Sequence, residues 1–297
     1  MTKIVSWNVN SIRVRLPHLV QLKETIDPDV IMLQETKSTD ENFPFDDIKE
    51  MGFEIITKGQ KSYNGVAILS KIPMELIANE LPGNAKDEQA RFIEVKIKDS
   101  DPFNIATIYL PNGNPVDTEK FPYKLDWMRR LKDYAKKKID NQETVIFGGD
   151  YNIIPNRGDA VNIEKWKNDA LHHPDSIKIF REIINLGLTD VFRVFNSKEF
   201  EFTYWDYSRG SWEKDNGLRI DHFLSTPSAT DRITDCQIEK QFRGLERPSD
   251  HVPIWFEIKQ LLWISSNNIY QFVNDCSCCS RSQLSMIIGR CNFNYIS

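Results

Sequence analysis

Four times in this chain an apolar run stops at a polar residue fit for chemistry. Lys3-Ile4-Val5-Ser6-Trp7 runs into Asn8-Val9-Asn10, and Val30-Ile31-Met32-Leu33 into Gln34-Glu35-Thr36. Ile105-Ala106-Thr107-Ile108 runs into Tyr109-Leu110-Pro111-Asn112, and Thr144-Val145-Ile146-Phe147 into Gly148-Gly149-Asp150-Tyr151-Asn152. Side chains at the carboxyl ends of neighbouring strands converge on one edge of a sheet, where α/β proteins place ligands. Carboxylates gathered there repel one another unless a cation sits among them, and hard oxygen donors suit Mg²⁺ or Mn²⁺. Taken singly, each residue has an ordinary reading. Glu35 can open a helix, Gly148 to Asn152 can form a turn, and Asn8 and Asn112 are of a type that favours turns.

Asp221 is harder to explain that way. It interrupts Leu218-Arg219-Ile220-Asp221-His222-Phe223-Leu224, and a carboxylate within a half-buried strand is costly unless paired. His251, in Pro248-Ser249-Asp250-His251-Val252-Pro253-Ile254 at the entry to the last apolar run, is a partner for it. A carboxylate that orients an imidazole fixes its tautomer and raises its basicity. The remaining histidines, His18, His172, His173 and His222, have no comparable setting.

The elements that must position these residues alternate short apolar runs with helical stretches, the pattern of an α/β protein. Strands are expected at 3–9, 29–34, 54–58, 65–70, 91–98, 104–109, 144–148, 218–225, 232–239 and 252–258, and helices at 16–25, 118–138 and 175–186. In the longest helix Phe121, Leu125, Met128, Leu131 and Ala135 recur at helical spacing, and the lysines Lys132 and Lys136 to Lys138 read as a solvated face. No repeat and no Pro- or Gly-rich linker divides residues 1–260, so one catalytic domain is expected there. Beyond it, residues 261–297 turn Ser-, Asn- and Cys-rich with few charges and read as a C-terminal extension outside that domain.

A hydrophobic content of 40% and an aromatic content of 11% allow a sizeable core and exclude a disordered or collagen-like chain. The net charge of −5 is not that of a generic nucleic-acid binder, but cations in an acidic cleft supply positive charge that a lysine count misses. Met1-Thr2-Lys3 leads straight into a strand pattern with no signal peptide, and no apolar run is long enough for a membrane span. Of the five cysteines only Cys236 precedes the extension, where Cys276, Cys278, Cys279 and Cys291 crowd together without the spacing of a zinc site. A body with one cysteine suits a reducing, cytoplasmic setting.

Seven segments then stand in a familiar order. They are Ser6-Trp7-Asn8-Val9-Asn10-Ser11-Ile12-Arg13, Leu33-Gln34-Glu35-Thr36-Lys37, Tyr63-Asn64-Gly65-Val66-Ala67, Tyr109-Leu110-Pro111-Asn112-Gly113, Gly149-Asp150-Tyr151-Asn152, Gly217-Leu218-Arg219-Ile220-Asp221 and Ser249-Asp250-His251. From about Lys3 to Ile258 the chain resembles the exonuclease III/apurinic-apyrimidinic endonuclease family of the endonuclease/exonuclease/phosphatase superfamily. The resemblance implies a four-layer α/β sandwich, two packed mixed sheets flanked by helices. It implies a monomeric, Mg²⁺-dependent DNA-repair phosphodiesterase that cuts duplex DNA 5′ to abasic sites and trims 3′ ends as a 3′–5′ exonuclease. Carried over residue by residue, it makes Glu35 the main metal ligand, with Asn10 and Asp250 near the ion. Asp150 would activate or orient the attacking water, helped by Asn152, and His251, held by Asp221, would bind the scissile phosphate. Tyr109, Asn8 and Asn112 would complete a phosphate cradle. Trp205, in Phe202-Thr203-Tyr204-Trp205-Asp206-Tyr207, would face the abasic sugar beside Leu218 and Ile220, and Arg13, Lys37, Tyr63, Arg91 and Arg209 would touch the DNA backbone. The alternative within the superfamily is hydrolysis of lipid or inositol phosphates.

Overall fold

The computed structural model describes residues 1–260, and the extension expected at 261–297, with its four cysteines, lies outside the described residues. Twelve strands form two six-stranded sheets. In the first, β1 (Thr2–Asn8), β2 (Val30–Gln34), β3 (Glu54–Lys58), β4 (Val66–Ser70), β11 (Ile233–Ile238) and β12 (Ile254–Ile258) run in the order β11-β12-β1-β2-β4-β3. In the second, β5 (Met74–Ala78), β6 (Phe92–Ile97), β7 (Phe103–Tyr109), β8 (Val145–Asp150), β9 (Thr189–Asp190) and β10 (Asp221–Ser225) run in the order β5-β6-β7-β8-β10-β9. The helices are α1 (Ile12–Ile26), α2 (Phe45–Glu50), α3 (Lys120–Asp140), α4 (Pro174–Ile184), α5 (Val191–Phe195) and α6 (Pro227–Thr230).

Alternation along the strands builds the layers. Ile4 of β1 and Met32 of β2 point at the other sheet, where they pack with Ile105, Ile146 and Phe223. Val5, Trp7, Ile31 and Leu33, one residue out of step, pack against α1 through Leu19 and Leu22. On the far side, Ala106, Ile108, Val145 and Phe147 pack on Met128 and Leu131 of α3 and on Phe180 and Ile183 of α4. The result is the expected four layers of helix, sheet, sheet and helix. The sheets approach closely because Gly148 has no side chain: a Cβ there would stand 2.6 Å from the Phe223 ring and 3.1 Å from Met32 Cε.

The central pairs set the site. β1 and β2 are parallel with Asn8 opposite Gln34, and β7 and β8 are parallel with Tyr109 opposite Asp150. β10 runs antiparallel to β8, so its first residue, Asp221, pairs with Asp150, and β12 starts at the same edge, just after His251.

Several expectations change. Gly148 to Asp150 is strand rather than turn, and the strand expected at 218–225 begins at Asp221, with Leu218 reduced to isolated bridges to Ala160 and Tyr204. β5 and β9 were not foreseen, nor were α2, α5 and α6, all too short to show a period. Lys138, read as solvated, is buried, with Nζ 2.7 Å from Glu94 Oε1 and 2.9 Å from Glu143 Oε2. Among the described residues no helix is long and apolar enough to cross a membrane.

Candidate active site

Asn8, the last residue of β1, lies in step with Ile4 and Ser6 and therefore points between the sheets. Its Nδ2 donates to Glu35 Oε1 at 2.8 Å and to Asp150 Oδ2 at 3.0 Å, joining a carboxylate of the first sheet's edge to one of the second. Asp150 also accepts from the backbone N–H of Asn152 at 2.8 Å and from Asn152 Nδ2 at 3.2 Å. Asn112 Nδ2 donates in turn to Asn152 Oδ1 at 3.0 Å. His251 completes the group, with Nδ1 2.8 Å from Asp221 Oδ2 and Nε2 3.7 Å from Asp150 Oδ2.

The charge states follow from these neighbours. Burial works to raise the Glu35 carboxyl, but the Lys37 ammonium 2.9 Å away and the hydrogen bonds from Asn8 and Lys37 hold it below its ordinary range. Burial pushes Asp150 upward; His251 opposes this, while the charges of Asp221 and Glu35 add to it. Burial alone would lower His251, yet Asp221 and Asp150 outweigh it and move the imidazole well upward, so the ring keeps both protons at neutral pH. Burial and the adjacent Glu35 and Asp150 carboxylates drive the Tyr109 hydroxyl far up, so it stays a donor.

One ligand atom each from Glu35, Asp150 and His251 lie within 4.8 Å of one another. The two carboxylates suit a divalent cation, with protonated His251 beside it as a donor, and the negative charge of Asp221 and Glu35 that adds to burial in raising Asp150 is what a cation would relieve. Asn10 and Asp250 stand beside this group rather than within it. Asn10 Nδ2 donates to Asp250 Oδ1 at 2.9 Å, and Lys37 Nζ bridges Asn10 Oδ1 at 2.5 Å to Glu35. Asn10, Glu35, Lys37 and Asn152 all carry positive φ, between 43° and 50°. Such backbone costs non-glycine residues of order 1 kcal/mol each and gathers at functional sites.

The group opens into a cleft of about 320 Å³. Its lining combines the polar Glu35, Tyr109, Asn112, Asp150, Asn152, Asp250 and His251 with Trp166, Leu171, Tyr204, Leu218 and Ile220. Trp205 is not among them. It is fully buried with Phe202, edge-on to Trp212, and its Nε1 donates to Asp215 Oδ1 at 3.0 Å. Successive residues of an extended segment face opposite ways, so Tyr204 takes the cleft and packs its ring 4.9 Å from that of His251. Arg13 also lies elsewhere, in a recess with Lys37 and Lys61, while Tyr63 and Arg91 line another beside Tyr109. Trp166 and Leu171 went unnoticed in the sequence because the segment that carries them has no regular period.

Residues 5–251 match the Endonuclease/Exonuclease/phosphatase family. Exodeoxyribonuclease III of Haemophilus influenzae is 33% identical over 268 residues, covering 86% of this chain and 100% of that protein. The solved AP endonuclease of Archaeoglobus fulgidus superimposes with a TM-score of 0.82 at 35% identity, over 88% of this chain and 100% of that one. A 3′ phosphatase from Neisseria, solved with a product DNA hairpin, gives 0.83 at 33% identity over 88% and 100% of the two chains. With this edge geometry and these relatives, the chain belongs to the endonuclease/exonuclease/phosphatase family, in the branch that holds the exodeoxyribonuclease III and AP-endonuclease proteins.

Proposed function

We propose that this protein is a metal-dependent phosphodiesterase of DNA repair that cuts duplex DNA 5′ to abasic sites and trims 3′ ends by 3′–5′ exonuclease and 3′-phosphatase action. The observation that carries the reading is the run Asp221–His251–Asp150 beside Glu35, in a cleft that Trp166, Leu171, Tyr204, Leu218 and Ile220 also line. A phosphodiester needs charge neutralisation, an aligned water and held non-bridging oxygens before it hydrolyses. His251, kept protonated by Asp221, donates from Nε2 to a non-bridging oxygen. Tyr109 and Asn112 donate beside it, and Asn8 holds Glu35 and Asp150 at a fixed separation. Asp150, with its upward-shifted carboxyl aimed by Asn152, takes the proton of the attacking water. A Mg²⁺ or Mn²⁺ ion held by Glu35, with Asp150, Asn10 and Asp250 around it, would supply positive charge to the phosphate and to the departing 3′ oxygen.

An abasic sugar flipped from the duplex presents an apolar face without a base, which suits the wall of Tyr204, Leu218, Ile220, Trp166 and Leu171. The recess of Lys37 and Arg13 and the recess of Arg91 and Tyr63 suit the flanking phosphates. The same reading has the chain act as a monomer in the cytoplasm, where the free, buried Cys236 thiol matches reducing conditions. The lipid-phosphate alternative finds no support among the relatives, which are DNA nucleases and a DNA 3′ phosphatase.

End-labelled abasic, nicked and 3′-phosphate duplexes, digested side by side with Mg²⁺ and with EDTA, test this. We expect incision at the abasic site and 3′ trimming, both lost with EDTA. Hydrolysis of a phosphoinositide but no duplex would defeat the reading. Tyr204→Ala should reduce the preference for abasic over intact duplex by about 10-fold while Trp205→Phe leaves it unchanged, the scale of about 1.4 kcal/mol lost from an apolar pocket.

A further inference from the structure

Beside the buried Trp127 and Arg130, one buried stripe of α3 runs through Phe121, Lys124, Met128, Leu131, Ala135 and Lys138, spaced alternately by three and four residues. Two of its six places are lysines, and they are treated differently. Lys138 meets two carboxylates. Lys124, which is 0% exposed, meets none: its Nζ donates to the backbone carbonyls of Asn152 at 2.7 Å and Asn112 at 3.0 Å. A buried amine without a counter-ion is expensive, and burial lowers this one to about 7 despite Asp150 and Asp169. A leucine at the same place would fill the core without that cost.

What the amine holds accounts for its presence. Asn152 has φ 47°, and in that left-handed turn its N–H and its carboxamide both reach back to Asp150. Asn112 donates to the same carboxamide. Lys124 therefore fixes the backbone of the two asparagines that aim Asp150, from behind and out of reach of substrate. Room for its stem is reserved, since a Cβ on Gly113 (φ 87°) would stand 2.6 Å from Lys124 Cδ. Either protonation state serves, because a neutral amine still donates twice.

The geometry points to Lys124 as a positioning residue for the reaction, acting through the Asn112 and Asn152 carbonyls to hold Asp150 in line with the attacking water. The inference rests on the proposed phosphodiesterase activity, so the wild-type protein must first incise an abasic duplex; failure there would sink that reading and not this one. In Lys124→Met we expect kcat to fall roughly 10²-fold with KM within about 2-fold, the scale on which a displacement near 1 Å is felt. Lys124→Gln, which keeps an N–H₂ donor on a shorter arm, should recover at least about 5-fold of that loss, and it serves as the test if the methionine variant does not fold. In an Asn152→Ala background, removing Lys124 should cost less than about 3-fold more, since the two act in series. Lys138→Met should lower the melting temperature and leave kcat per folded molecule unchanged. A Lys124 variant with wild-type kcat, with the loss confined to KM or to stability, or with a loss that multiplies fully with that of Asn152→Ala, would overturn the inference.

Discussion

Two buried histidines flank the base of the cleft, and they carry opposite charge states. His251 is 4% exposed and His222 0%, so solvent separates them very little. His251 lies between Asp221 and Asp150 and is moved upward. His222 accepts at Nδ1 from Arg219 Nη1 at 3.0 Å and donates from Nε2 to the Ile153 carbonyl at 3.1 Å. Burial first, then the Arg219 charge, lowers it to about 4, and the ring stays neutral. Asp221 and His222 are neighbours in the chain, yet strand alternation turns them to opposite faces, so the aspartate serves a histidine thirty positions away. Behind the cleft, Arg219 neutralises Asp159 at 2.7 Å and Asp190 at 2.8 Å, closing a salt-bridged cluster around the neutral ring. The cleft side keeps its excess negative charge, which is what the proposed cation would meet. The rear side is already balanced.

If that division is right, substitutions on the two sides differ in kind. Asp150→Asn and His251→Ala should each lower incision of an abasic duplex by about 10³-fold or more, the range for losing a general base or a charged donor at the reacting phosphate. Their circular dichroism should match the wild type, and near-normal turnover in either purified variant would erase the distinction. Arg219→Met, on the rear side, should instead cost roughly 3 kcal/mol of unfolding free energy in a denaturant titration, because it removes the guanidinium from half-buried Asp190 and leaves buried Asp159 with Arg193 alone. An equally stable Arg219→Met protein would show that the cluster is not the structural half of the pair.

The pH response sharpens the contrast further. His222 sits below its ordinary 6.5 in the folded chain, so between 6.5 and about 4 the unfolded chain takes up a proton that the folded one refuses. Stability should therefore fall as pH drops through that window, by on the order of 3 kcal/mol, and level off below it. Replacement by asparagine should flatten that part of the stability curve, whereas an unchanged slope would assign it to other groups. The smallest effect expected is that of ending the chain at Gln260. We propose that residues 1–260 fold alone, so incision rates and melting temperature should stay within about 2-fold and a few degrees of the full chain, and loss of folding would join the tail to the core.

The edge chemistry was legible in the sequence because it is local. An apolar run followed by Asn8, Glu35, Tyr109 or Asp150 announces both the strand and the edge at which these side chains meet. Asp221 and His251 could be paired because a carboxylate inside a strand demands a partner. The wall of the cleft was not legible in this way: choosing Tyr204 over Trp205 requires knowing how that segment registers against Leu218 and His251, a tertiary fact. Lys124 and Lys138 were passed over because charge on a helix is ordinarily solvated, although their three-and-four spacing put them on the buried stripe. The strand β5, with three of its five residues exposed, has too little apolar contrast to stand out.

The amide of Asn8 has a mechanical meaning as well. It spans two carboxylates that hang from separate sheets, so the distance between them is inherited from the thickness of the hydrophobic filling below. A substitution such as Ile105→Val, deep in that filling and far from any phosphate, lets the halves settle by a fraction of an ångström. Turnover should register such thinning well before the fold does, which makes the tolerance of this core narrower than its stability alone implies.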